Sequence, residues 1–113
     1  MAIRIVININ VKPGTGDQFA EAWAPEYDLM NAKEGCIQYE LFRSTRNPDH
    51  FAVLEHWADR SAFDAHWEKQ SKRERAGAQF RDTPDNRRTG TSGLEIYWDQ
   101  ARYGIVDGEL KPL

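Results

Sequence analysis

Ile3, Ile5, Ile7, Ile9 and Val11 stand at every second position, separated by Arg4, Val6, Asn8 and Asn10. A period of two is the signature of a β-strand, because alternate residues of a strand share one face whereas a helix would scatter them around its axis. One face of this strand is wholly apolar. Such a face must be covered by another layer, so the rest of the chain has to supply helices or a second sheet. Helices are what the next residues offer. After a turn at Lys12, Pro13, Gly14, Thr15 and Gly16, the segment 17–33 places Phe19, Ala20, Trp23, Tyr27 and Met30 within one apolar stripe. Thr15 or Asp17 is the expected N-cap, and Gly35 is placed to end the segment. Pro25 lies off the stripe, where it is expected to kink or divide the helix.

The pattern then returns to a period of two. Residues 36–44 form a second strand with Ile37, Tyr39 and Leu41 on one face and Gln38, Glu40 and Phe42 on the other. Thr45, Arg46, Asn47, Pro48 and Asp49 make a turn, which implies a hairpin into the strand 51–57. A second helix is expected to begin near Ala62. Ser61 with Asp64 forms a loose capping box, and Asp59 is an alternative cap. Phe63 and Trp67 fall one helical turn apart, as do Ala62 and His66. Beyond Trp67 the helix turns polar until Phe80 offers an anchor. Residues 81–93, with Pro84, Gly90 and Gly93, read as a loop, and 94–98 alternate again as a fourth strand. Asp107 and Gly108 signal a tight turn in a C-terminal tail or hairpin over 104–113.

At 113 residues the chain is expected to be one domain, 1–113, with a single modest core. The order β-α-β-β-α-β places two helices on one face of a four-stranded antiparallel sheet and leaves the other face in need of a cover. The formal net charge of −3 argues against nucleic acid as a main partner. Basic residues do gather between 71 and 93, where a solvated surface and a lip for an anionic small molecule are the competing readings. No apolar run approaches the ~20 residues of a membrane helix, and no leader-like segment opens the chain, so a cytoplasmic protein with no membrane partner is expected. One cysteine, Cys36, excludes an intrachain disulfide, and His50, His56 and His66 have no metal-site spacing.

The stretch 51–67, FAVLEHWADRSAFDAHW, carries a resemblance. A strand ending in Glu-x-Trp, followed by Asp-Arg-Ser-Ala and an aromatic helix with Ala-His, resembles the antibiotic biosynthesis monooxygenase family. Val11-Lys12-Pro13-Gly14 after the first strand and Glu34-Gly35-Cys36 before the second extend the likeness over about residues 3–67, with a weaker echo at 94–103. The resemblance implies an α+β fold of ferredoxin-like topology that pairs through its sheets into a dimeric α+β barrel, hence a homodimer. It also implies cofactor-independent oxidation of a phenol, quinol or anthrone by dioxygen, with no metal. Such a site binds a flat apolar ring, holds the developing enolate oxygen and excludes water. Proton-transfer isomerisation of a small carbonyl compound, and non-enzymatic binding of a hydrophobic metabolite, are the alternatives. Haem degradation on this fold is disfavoured, since no histidine follows His66.

Asn8, Trp57, His66 and Glu55 are the candidate catalytic residues. Trp57 matches the strand-terminal tryptophan of the family, and His66 its Ala-His position. Asn8 is placed by strand alternation on the face that lines the barrel of the resembled fold, where its amide would orient an enolate. His66, with an ordinary pKa near 6.5, or Glu55, if burial raises its pKa, would take the proton. Asn10, Phe51, Val53 and Phe42 are the expected substrate contacts. Some family members carry an asparagine where this chain has Val53, so that donor is missing here.

Overall fold

The alternation over the first residues forms β1 (Ile3–Asn10), and this strand lies inside the sheet. The computed structural model of the chain describes residues 2–82, 93–99 and 103–112. Along it follow α1 (Gly16–Asn31), β2 (Cys36–Arg43), β3 (His50–Trp57), α2 (Arg60–Gln70), a single 3-10 turn (Ala78–Phe80) and β4 (Leu94–Trp98). β5 (Tyr103–Val106) and β6 (Glu109–Pro112) make a separate hairpin. Its turn places Asp107 and Gly108 at positive φ, as a tight two-residue connection requires. The strand order β2-β3-β1-β4, antiparallel throughout, is the expected ferredoxin-like arrangement.

The helices cover one face. Ile3, Ile5 and Ile9 of β1 and Phe51, Val53 and Trp57 of β3 are buried with Phe19, Trp23 and Met30 of α1 and Phe63 of α2 in one core. On the opposite face, Asp99 accepts from Arg4 Nε at 3.1 Å and pairs with His56 Nε2 at 3.0 Å, tying three strands together. Val6, Leu54, Phe42 and Tyr97 alternate onto that same face, and Phe42 and Tyr97 are exposed.

Several local expectations are corrected. α1 runs through Pro25 without being divided. Its stripe holds Glu26, not Tyr27, because Arg73 from beyond α2 binds the Glu26 carboxylate at 2.9 and 3.2 Å while Tyr27 is exposed. Neither Thr15 nor Asp17 caps α1 by its side chain; Asp49 does so from the β2–β3 turn, accepting from Gly14 N and Gly16 N at 3.0 Å each. α2 begins at Arg60, capped by Asp59, whose Oδ1 accepts from Ala62 N at 2.8 Å and from Ser61 Oγ. A bulge between Cys36 and Gln38 turns Ile37 out to solvent, away from Tyr39 and Leu41. Of the loop expected over 81–93, residues 83–92 lie outside the described residues. Its start is pinned: Arg81 bridges to Val11, and Asp82 N donates to Asn10 O at 2.7 Å.

Candidate active site

The two helices do not close completely over the sheet. Between them and the strands lies a cavity of about 290 Å³, floored by Ile7, Ile9, Val53, Glu55, Leu94 and Ile96. That volume sits near the lower end of small-molecule sites, enough for a compact substrate. α1 contributes Trp23 and Glu26, β2 contributes Tyr39, and α2 contributes Arg60, Phe63, Asp64, His66, Trp67 and Gln70. The segment after α2 closes one side with Arg75, Ala76 and Arg81.

Among the described residues, Glu55 is the one carboxylate planted in the sheet floor. It faces the helices because strand alternation puts it on the side of Val53 and Trp57. Burial pushes its pKa up from 4.5 to about 7, and a hydrogen bond from Trp57 Nε1 to Oε1, 2.9 Å, restrains the rise. The carboxyl is therefore poised to exchange a proton near neutrality.

His66 stands over this pair. Its ring stacks on Trp57 at 4.7 Å between centroids and 23° between planes, with Tyr39 edge-on at 5.9 Å. Burial, then the charges of Lys33 and Arg73, lowers its pKa to about 4. Lys33 Nζ lies 3.1 Å from its Nδ1. Tyr39, stacked on Trp23, is held protonated above the ordinary tyrosine range by burial and by the Glu55 and Glu26 carboxylates. Cys36 is pushed up to about 11, by burial first and by Glu55 second, which leaves it a poor nucleophile.

A sequence model of the antibiotic biosynthesis monooxygenases matches residues 2–82, which carry β1, α1, β2, β3, α2 and the closing segment. The chain belongs to the antibiotic biosynthesis monooxygenase family. No curated protein is similar enough in sequence to count as a relative. Among solved structures, a conserved protein of Methanosarcina mazei Go1 is 23% identical over 86% of this chain and 91% of its own, with a TM-score of 0.65. A protein of Nitrosomonas europaea assigned to the same family is 20% identical over 87% and 97%, TM-score 0.64. SnoaB, a cofactor-independent oxygenase from Streptomyces nogalater, is 14% identical over 88% and 93%, TM-score 0.64, in the structure of one of its variants. At such identities these neighbours speak to the fold alone.

Set within this family fold, the residues singled out from sequence fall into three places. Glu55, His66 and Val53 line the cavity. Trp57 and Phe51 lie behind its wall: Trp57 is fully buried, supporting Glu55 and His66, and Phe51 packs on Phe19 at 4.9 Å. Asn8, Asn10 and Phe42 are exposed on the opposite sheet face, with Asn10 Oδ1 2.7 Å from His50 Nδ1. The open space of the described chain lies on the helix side with Ile7 and Ile9, and Asn8, Asn10 and Phe42 do not line it. Arg43, at the end of β2, bonds Asp17 and the Pro48 carbonyl. Lys33, Tyr39 and Glu26 escaped the sequence reading. Tyr39 alone carried a signal, as the aromatic on the apolar face of β2.

Proposed function

We propose that this chain is a cofactor-independent monooxygenase acting on a small phenol, quinol or anthrone. The observation that carries the reading is the buried Glu55 carboxyl, with a pKa near 7, set in the apolar floor of a cavity walled in part by Trp23, Tyr39, Phe63 and Trp67. Glu55 takes a proton from an acidified C–H or O–H of the substrate. The resulting anion is rich enough in electrons to reduce dioxygen directly. For an anthrone-type carbon, one methylene group and one molecule of dioxygen give one carbonyl group and one molecule of water. One oxygen atom enters the product, the other leaves as water, and the electrons come from the two broken C–H bonds. Phe63, Trp67 and Trp23 suit a flat ring, and Val53 adds apolar floor.

A homodimer accompanies this reading. Val6, Leu54, Phe42 and Tyr97 leave an apolar strip on the uncovered sheet face, which suits pairing of two sheets.

Oxygen uptake by metal-stripped protein with a panel of anthrones and hydroquinones, corrected for autoxidation, tests the activity. Protein-dependent uptake that survives chelators and is abolished by Glu55→Gln is expected. A second reading, proton-transfer isomerisation of a small carbonyl compound, draws on Arg60, Arg75 and Arg81 on the cavity wall, which suit an anionic substrate. Turnover of such a compound at the same rate with and without oxygen would replace the first reading by the second. No uptake across the panel would refute the oxygenase.

A further inference from the structure

We infer that Lys33 is a positioning residue of the cavity: by donating from Nζ to Nδ1 it fixes His66 as the Nε2–H tautomer, so that the imidazole offers the cavity a donor and not a base. The geometry is local and restrained. Nζ and Nδ1 are 3.1 Å apart. An ammonium has only hydrogens to give, and a neutral imidazole that accepts at one nitrogen must carry its proton on the other. Among the described residues no hydrogen bond to Nε2 is formed, while the His66 ring forms part of the cavity wall.

The ring has little freedom to turn. Trp57 stacks on one side, with Tyr39 at 5.9 Å and Phe63 at 6.2 Å. Lys33 is equally held. It follows the C-cap of α1, its N–H donates to Met30 O, and its carbonyl accepts from Cys36 N. The electrostatics agree with the geometry. Burial, then Lys33 and Arg73, lowers His66 to about 4, and burial, then Lys69 and Arg73, lowers Lys33 from 10.5, with Glu26 and Cys36 opposing. Above about pH 4 the imidazole facing the lysine is neutral.

This arrangement divides the labour between Glu55 and His66. Glu55 exchanges the proton, and His66 holds a hydrogen toward the oxygen on which charge develops. That last step rests on the proposed function; the tautomer does not.

Long-range 15N–1H correlation spectra of the full chain decide the matter without a substrate. His66 is expected in the Nε2–H form at neutral pH. Lys33→Met should give a mixture of tautomers and move the His66 pKa upward, whereas Lys33→Arg should keep the wild-type pattern. A wild-type His66 in the Nδ1–H form, or an identical spectrum in Lys33→Met, would overturn the inference. The wild-type spectrum suffices if the methionine variant fails to fold. Oxygen uptake plays no part in this readout, so loss of the oxygenase reading would leave it standing, and the reverse.

Discussion

Replacing Glu55 by glutamine preserves the shape of the side chain and an acceptor for Trp57 Nε1 while removing the ionisation. In the folded chain Glu55 titrates near 7 and not near 4.5. Between those values the folded state keeps a proton that the unfolded chain has released, so stability falls as pH rises through the window and levels off above it. A gap from 4.5 to about 7, at about 1.4 kcal/mol per pH unit, corresponds to about 3 kcal/mol. His66 acts in the opposite sense. Its pKa is lowered from 6.5 to about 4, so the unfolded chain binds more protons between those values and stability rises with pH there. Its shift is of similar size. The two slopes partly offset each other in the wild type, which makes the difference between variant and wild type the informative quantity. Urea unfolding of both chains, at one protein concentration, should show Glu55→Gln gaining about 2–3 kcal/mol over wild type between about pH 5 and about pH 8. In thermal unfolding that is on the order of 10 °C. Parallel stability profiles for the two chains would refute the reasoning, because they would mean that Glu55 ionises in the folded state as it does in the unfolded one.

Trp57→Phe keeps a ring beneath His66 but removes the one hydrogen bond, among the described residues, that draws the Glu55 pKa down. The carboxyl should then titrate above its present value of about 7, and a 13C-detected titration of Glu55 that shows no rise or a fall would contradict this. Asp49→Ala leaves Gly14 N and Gly16 N without their carboxylate and should lower stability by about 1 kcal/mol, read from the denaturation midpoint. An unchanged midpoint would mean that water replaces the cap at no cost.

The fold was legible because its main signals are periodic. The isoleucine alternation of β1, the hairpin turn after Arg43 and the Asp59–Ser61 corner each commit a short stretch to one local geometry. The site was less legible because a cavity depends on how layers meet. Alternation separates Asn8 from Ile7, yet says nothing of which sheet face retains open space. Trp57 stood out as the strand-terminal tryptophan, but only the packed structure places it behind the wall and Glu55 in it. Glu26 reads as a surface residue until Arg73, 47 positions away, reaches it. Lys33 likewise looks like any lysine past a helix end until α2 delivers His66 to it.

The carboxylate that caps α1 has a consequence for the order in which the molecule can assemble. Asp49 lies 33 residues beyond Gly16, and Arg43, from the same hairpin, holds Asp17 and the Pro48 carbonyl. The first turn of α1 is thus completed by residues that follow it in synthesis. A nascent chain that has emerged only as far as Asn31 carries the helix sequence without its cap, and closing the hairpin supplies that cap in the same event that aligns β2 with β3. Helix start and hairpin are thus held by one shared set of bonds, and a chain truncated before Asp49 lacks the carboxylate that joins them.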